Sequence, residues 1–271
     1  MPMRSERFFK DPGLPFAELR CSRDSSDSFK PHMHRTLSIG AVDEGEVVYS
    51  LNGETANLLP GTLVVFNPEV LHACNPVKGT VRSYYMLHLD RDWCLKVQQT
   101  LWAVGDFVAA ERFRIEDAEV YEAYCRAMGL LMDDPVHLEE KEQVLFDLVC
   151  NIFTAVCRPG ESRKTTGGDV ARLKHLLSTD LHRDWPLDSL AASLDANPYT
   201  LIRSFKAVTG ITPHAYRMNC RMEKARELLR EGRDIADTAL ECGFFDQSHF
   251  HRYFKAMTTV TPQAYRINFL Q

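Results

Sequence analysis

The sequence predicts an α+β chain of two domains: an N-terminal β-barrel with trailing helices, then an all-α domain holding two helix–turn–helix units. Three observations predict it. Short β-rich runs fill residues 14–90, whereas beyond residue 168 the apolar residues recur at helical spacing. Between these regions lies Pro159–Gly168, PGESRKTTGG, polar and nearly without an apolar anchor, as flexible linkers are. Finally, FKAVTGITPHAYR at 205–217 returns as FKAMTTVTPQAYR at 254–266, 49 residues later and identical at nine of thirteen positions. The expected domains are therefore 1–158 and 169–271, joined by 159–168.

Composition agrees with this division. A chain of 271 residues, 45% hydrophobic and 25% charged, has the make-up of ordinary two-domain globular proteins and excludes a disordered chain. No apolar run approaches the roughly 20 residues that cross a bilayer. The opening MPMRSERFFKDPG lacks the apolar core of a secretory signal, so the expected location is cytoplasmic, with no membrane partner. Eight cysteines are scattered without a CxxC pair, which favours free thiols over disulfides or zinc fingers. The net charge of −5 is unevenly spread: residues 1–158 carry 16 Lys+Arg against 24 Asp+Glu, and residues 169–271 carry 14 against 12. Any nucleic-acid contact must then rest on local Arg and Lys placement rather than on a strong overall field.

In chain order, TLSIGAVDEG (36–45), EVVYSLNG (46–53) and TLVVFNP (62–68) read as strands. Asn52-Gly53 marks a hairpin, because both residues tolerate positive φ, and Pro60-Gly61 marks another turn. Short antiparallel strands in series make a barrel or sandwich. Helices are expected over 117–132 and 138–157. The second carries Val144, Leu145, Leu148, Val149, Ile152, Phe153 and Val156 at helical spacing behind an acidic start of Glu139, Glu140 and Glu142. That stripe packs on its own barrel or pairs two chains as a homodimer; the sequence leaves both open.

Each repeat parses as a short helix, a tight turn and a second helix. In the first copy Leu187–Leu194, with Asp188 in its first turn, precedes the turn Asp195-Ala196-Asn197-Pro198 and a helix over 198–208. In the second copy Ile235–Cys242 ends at Gly243, where a residue without Cβ turns most cheaply. Phe244–Asp246 form its turn and Gln247–Met257 its second helix, the one that enters the major groove in such units.

These residues, most specifically ECGFFDQSHFHRYFKAMTTVTPQAYR (241–266), resemble the AraC/XylS family of transcription regulators, and the resemblance runs the length of the chain. It implies two helix–turn–helix units joined by a rigid helix, about His214–Arg230, with both reading helices in successive major-groove segments of double-stranded DNA. It also implies RNA polymerase as a partner. Thr259 departs from the pattern, standing where the first copy has Gly210. By position, Tyr199, Thr200, Ile202, Arg203 and Lys206 face DNA from the first unit, and Gln247, Ser248, His249, Arg252 and Lys255 from the second. Arginine suits guanine and glutamine suits adenine through paired hydrogen bonds. Phe205, Phe254, Tyr216 and Tyr265 are expected in the core.

Pro31-His32-Met33-His34 and PGTLVVFNPEVLHACNP (60–76) resemble the cupin-like sensing domains of the same family. In metal-binding cupins an HxH pair and a later histidine join a glutamate around one metal. Strand alternation would put His32 and His34 on one face, with His72 beside them, yet the glutamate's place falls near Ser38–Ile39. His32, His34 and His72 thus form a weak alternative metal site, and no cofactor is expected. The favoured role is ligand recognition by His32, His34, Tyr49, His72, Tyr84 and His88, with Tyr84, Met86 and His88 sharing a strand face. The expectation is a non-enzymatic DNA-binding regulator, of activator type, controlled by a small effector in the barrel. Two rivals remain: a cupin metal enzyme fused to a DNA-binding module, and a ligand-independent regulator controlled by a protein partner.

Overall fold

A computed structural model describes residues 5–51, 54–133, 136–159, 168–182, 187–194 and 198–270, without the side chains of 168, 169, 187, 188, 198–200, 203, 269 and 270. The chain forms two units: residues 1–28 with 34–161, and residues 29–33 with 162–271.

In the first unit, strands β1 (Ser5–Phe9), β2 (Ala17–Ser25), β3 (Leu37–Glu44), β6 (Leu63–Phe66), β8 (Arg82–Leu89) and β9 (Arg114–Ile115) form one antiparallel sheet in the order β1-β2-β8-β3-β6-β9. Strands β4 (Val47–Leu51), β5 (Glu54–Leu58) and β7 (His72–Pro76) form a second, in the order β5-β4-β7. The β4–β5 register pairs Leu51 with Glu54, flanking Asn52-Gly53, which lie outside the described residues. Gly61 adopts φ +91, as the Pro60-Gly61 turn requires.

Side-chain alternation assigns the faces of the larger sheet. Leu19, Leu37, Ile39, Leu87 and Leu89 pack against helices α1 (Arg91–Leu101), α2 (Ala118–Leu131) and α3 (Leu138–Val156). Tyr124 of α2 lies fully within this core and donates its hydroxyl to Ile39 O at 2.5 Å. The α3 stripe, Leu145, Leu148, Val149, Ile152, Phe153 and Val156, is buried in the same core, so this unit uses it internally. Helix α1 was not anticipated, although Asp90 caps it by accepting from the amides of Asp92 and Trp93 at 2.9 Å each. Strands β1 and β9 were likewise not anticipated.

The second unit is helical: α4 (Gly168–Thr179), α5 (Leu187–Ser193), α6 (Pro198–Thr209), α7 (Pro213–Arg230), α8 (Ile235–Glu241), α9 (Gln247–Thr258) and α10 (Pro262–Leu270). Residues 29–33 belong to it, with the Met33 amide donating to Asn219 Oδ1 of α7 at 3.1 Å. The division by contacts thus sets 29–33 apart from the expected first domain, and one side-chain assignment is corrected. His32 and His34 lie outside any strand, since β3 begins only at Leu37, so strand alternation does not align them. The interior of the linker, 160–167, lies outside the described residues. Among the described residues no helix is long and apolar enough to cross a membrane.

Candidate functional site

The two helix–turn–helix units have matching parts: helices of seven residues, α5 and α8, precede helices of twelve, α6 and α9. The second is held as a tight corner. The Gly243 amide donates to Leu240 O at 2.8 Å and the Phe244 amide to Ala239 O at 2.9 Å, which satisfies the open carbonyls at the end of α8. Gly243 takes φ +73, and a Cβ there would stand 2.2 Å from Leu181 O. Arg221 of α7 donates to that same Leu181 oxygen through Nε (3.1 Å) and Nη2 (2.8 Å), and Arg217 through Nη2 (2.9 Å). Thus α7, the α4–α5 loop and the corner of the second unit meet at one carbonyl.

Helix α9 is capped by Asp246, whose carboxylate accepts from the His249 amide at 2.6 Å. Its buried side, Phe250, Phe254 and Met257, leaves Gln247, Ser248, Arg252 and Lys255 exposed on the other, with no acidic residue in its first turn. His249 is half-buried, its ring 5.4 Å from Phe244 and 6.4 Å from Tyr253. In α6, Lys206 is exposed and Ile202 half-buried. The side chains of Tyr199, Thr200 and Arg203 lie outside the described residues, as do Asp188's side chain and Asn197. Phe205, Tyr216, Phe254 and Tyr265 are buried.

In the first unit, the faces of β2, β3 and β8 turned from the helices carry the polar set. His34 lies with its ring 4.7 Å from His88 and 5.4 Å from His72. His72 stacks on Phe66 at 4.0 Å, and His88 Nδ1 is 2.8 Å from Ser38 Oγ. His72 Nδ1 is 2.9 Å from Val70 O, and because a carbonyl only accepts, Nδ1 carries a proton in that contact. The adjoining apolar cluster holds Val42, Val47, Tyr49, Leu58, Val64 and Phe66, with Met86 and Cys74 against it. Burial pushes the Cys74 thiol up to about 12, against the pull of Arg82, so it stays neutral at physiological pH. His32 belongs to the other unit, its Nδ1 2.7 Å from Lys30 O.

Two arginines complete this interior and were missed from the sequence. Arg82, 2% exposed, lies 4.9 Å from the centre of the Tyr84 ring, and Arg20 lies 5.9 Å from it. Burial drives Arg82's pKa down. Arg20 is also opposed by burial, but Tyr84 and its 2.6 Å ion pair with Glu6 raise its pKa on balance. The alternation in Glu18-Leu19-Arg20-Cys21-Ser22 could have placed Arg20 on the inner face, where it pairs with Met86 between the Glu18–His88 and Ser22–Tyr84 pairs. A cleft of about 650 Å³ lies on the opposite side of the sheet, lined by Arg7, Cys21, Arg23, Tyr85 and Met132 among others. Its arginines are engaged: Arg23 with Asp43 and Tyr85, and Arg7 with Met132 O at 3.1 Å.

Comparisons with known proteins follow the same division. Residues 18–122 match the family model described as an AraC-like ligand binding domain, and residues 190–268 match one described as a helix-turn-helix domain. The chain is 36% identical over 235 residues to the HTH-type transcriptional activator RhaS of Citrobacter koseri, covering 82% of each. It is 24% identical over 230 residues to the HTH-type transcriptional regulator YbfI of Bacillus subtilis, covering 82% of this chain and 81% of YbfI. Among solved structures, ToxT from Vibrio cholerae with an unsaturated fatty acid bound superposes with a TM-score of 0.64 at 14% identity, over 98% of this chain and 97% of ToxT.

Proposed function

This chain belongs to the AraC family of DNA-binding transcription regulators, and we propose that its second unit reads DNA through α6 and α9 while its barrel holds a small effector. On this reading Gln247, Ser248, His249 and Arg252 meet bases or phosphates in one groove segment, and Lys255 meets phosphate. Tyr199, Thr200, Ile202, Arg203 and Lys206 serve the adjacent segment from α6. Two unequal reading helices on one chain then recognise an asymmetric site, its two segments about 10 bp apart.

The observation that supports effector binding is the gathering of His34, His72 and His88 beside the apolar wall of Tyr49, Phe66 and Met86. Neutral imidazoles offer one donor and one acceptor each, which suits orienting a ligand with polar groups. At the place where metal-binding cupins carry a carboxylate, this chain has Ser38, already paired with His88. We therefore assign the histidines to recognition without catalysis or metal, and assign the protein no enzymatic role. The cytoplasm is its proposed place of work and RNA polymerase its proposed partner. Burial of the α3 stripe leaves homodimerisation to the outward residues of α2 and α3; a sedimentation coefficient that stays monomeric at rising concentration would remove that element.

One experiment tests the core of the reading. The wild-type chain selects its preferred duplex from a random pool, and affinity for that duplex is measured with and without each member of a small-molecule panel. The panel includes unsaturated fatty acids, since one is bound in ToxT. Arg252→Ala is expected to weaken binding by about 1–3 kcal/mol. A His34→Ala, His72→Ala, His88→Ala variant is expected to keep DNA affinity and lose the response to whichever panel member shifts the wild type. No selected sequence, or a response that survives the triple substitution, would overturn the corresponding half.

A further inference from the structure

The corner of the second helix–turn–helix unit contains two adjacent phenylalanines with opposite fates. Phe244 is buried, its ring 5.2 Å from Phe250 and 6.2 Å from Tyr253. Phe245 is 92% exposed, more than any of the other exposed large hydrophobic residues described. It stands immediately before Asp246, the cap of α9. An apolar residue at that position commonly packs on the fourth residue of the helix and fixes the entry of the chain. Here the fourth residue is Phe250, and Phe244 already occupies that role. The fold therefore makes no use of the Phe245 side chain, and keeping an aromatic ring in water is unfavourable by the whole of its apolar surface.

Its location gives that ring an occupation. Gln247 and Ser248, the next residues exposed at the start of α9, are the ones whose side chains a groove-inserted helix presents first. The major-groove edge carries one apolar group, the 5-methyl of thymine, against which aromatic and small apolar side chains pack. The sequence of the first unit has Ala196 at the equivalent position, 49 residues earlier, so only the second unit carries a ring there. We infer that Phe245 is a specificity-determining residue of the second reading unit, packing on a thymine methyl at the edge of the segment read by α9. This rests on the proposal that α9 enters the major groove.

The test uses the full chain and the duplex that the wild type selects from a random pool. Binding is measured for wild type, Phe245→Ala and Phe245→Leu on that duplex and on versions in which each thymine in turn is replaced by deoxyuridine, which removes only the methyl. Phe245→Ala is expected to bind roughly tenfold more weakly and Phe245→Leu to recover most of the loss, as for burial of one side chain. At one position the loss of the methyl is expected to weaken wild type by several-fold and Phe245→Ala not at all. Equal melting temperatures confirm that the fold is untouched. A Phe245→Ala loss that no thymine replacement reproduces would overturn the assignment and leave contact with deoxyribose. Unchanged DNA affinity would also overturn it, including the case where promoter activation alone falls, which would assign the ring to a protein partner. Arg252→Ala on the same duplex separates the two layers: if that variant also binds normally, the failure lies with the insertion of α9 itself.

Discussion

The two helix–turn–helix units solve one folding problem twice, and their differences fall at points where the fold leaves a choice. Thr209 and Thr258 are buried at equivalent positions: their hydroxyls lie 2.8 Å from Phe205 O and 3.0 Å from Ile211 O in one unit, and 2.8 Å from Phe254 O and 2.9 Å from Val260 O in the other. Thr212 and Thr261 each cap the following helix, accepting from the amides of Ala215 and Ala264 at 3.2 and 3.1 Å. The Phe205–Tyr216 and Phe254–Tyr265 rings meet at 5.5 and 5.4 Å. Packing and capping therefore account for the recurrence of Phe, Thr, Thr, Pro and Tyr. They do not account for Lys206 and Lys255, which recur while exposed outside the core. Repetition alone does not mark function, since most of what recurs here is packing and capping.

The comparison breaks most severely at Gly243, whose counterpart 49 residues earlier is Leu194. Gly243→Ala meets both a positive φ and the Leu181 carbonyl, and is expected to cost about 3 kcal/mol or more in urea unfolding of the second unit. Gly61→Ala in the first unit isolates the backbone contribution, because Gly61 also has positive φ but nothing within 4 Å of an added Cβ. It is expected to cost about 1 kcal/mol. Equal losses for the two variants would mean that Leu181 moves aside freely and that the three-way contact with Arg217 and Arg221 is not rigid.

A milder pair sharpens the equivalence. Thr209→Val and Thr258→Val keep shape and remove a buried hydroxyl, so each is expected to lose about 1–2 kcal/mol in the same unfolding measurement. The two losses should agree within roughly 0.5 kcal/mol, because the hydroxyls have matching surroundings. A much larger loss at one site would show that the units, though alike in geometry, are not alike in local stability.

How much of this was readable in the sequence depended on whether the signal was local. The repeat, the corner at Gly243 and the helices α2 and α3 were legible to within a residue or two, because glycine, apolar spacing and self-similarity are properties of short segments. Helix α1 has an equally local signal, with Asp90 preceding Trp93, Cys94, Val97 and Leu101 at helical spacing. The assignment of 29–33 was not legible. That segment follows β2 in sequence, yet the partner of Met33 is Asn219, a residue whose approach no local pattern announces. The alternation argument fails for His32 and His34, which precede β3, whereas it holds for Tyr84, Met86 and His88, which lie on a true strand. Arg20 and Arg82 show the opposite lapse. Strand alternation could have located their faces, but arginine is rarely buried, so its residue type points to the surface.

The finest distinction between the two units is at the end of the reading helices, where Gly210 faces Thr259. Both residues are left-handed, with φ +79 and +66, and both amides close the helix by donating four residues back, to Lys206 O at 2.9 Å and to Lys255 O at 2.8 Å. The turn is thus the same, and threonine adopts it against the steric preference of a β-branched residue, at a cost of roughly 1–2 kcal/mol. Glycine removes that strain but brings about 0.5–1 kcal/mol of extra chain entropy to the unfolded state. Thr259→Gly is accordingly expected to stabilise the second helix–turn–helix unit by about 0.5 kcal/mol, and Gly210→Thr to destabilise the first by a similar amount. The opposite signs are the informative result, measured as paired midpoints in urea with unchanged slopes. If both substitutions destabilise, the Thr259 side chain contributes more than its backbone strain costs, and the two turns are alike in conformation while differing in what holds them.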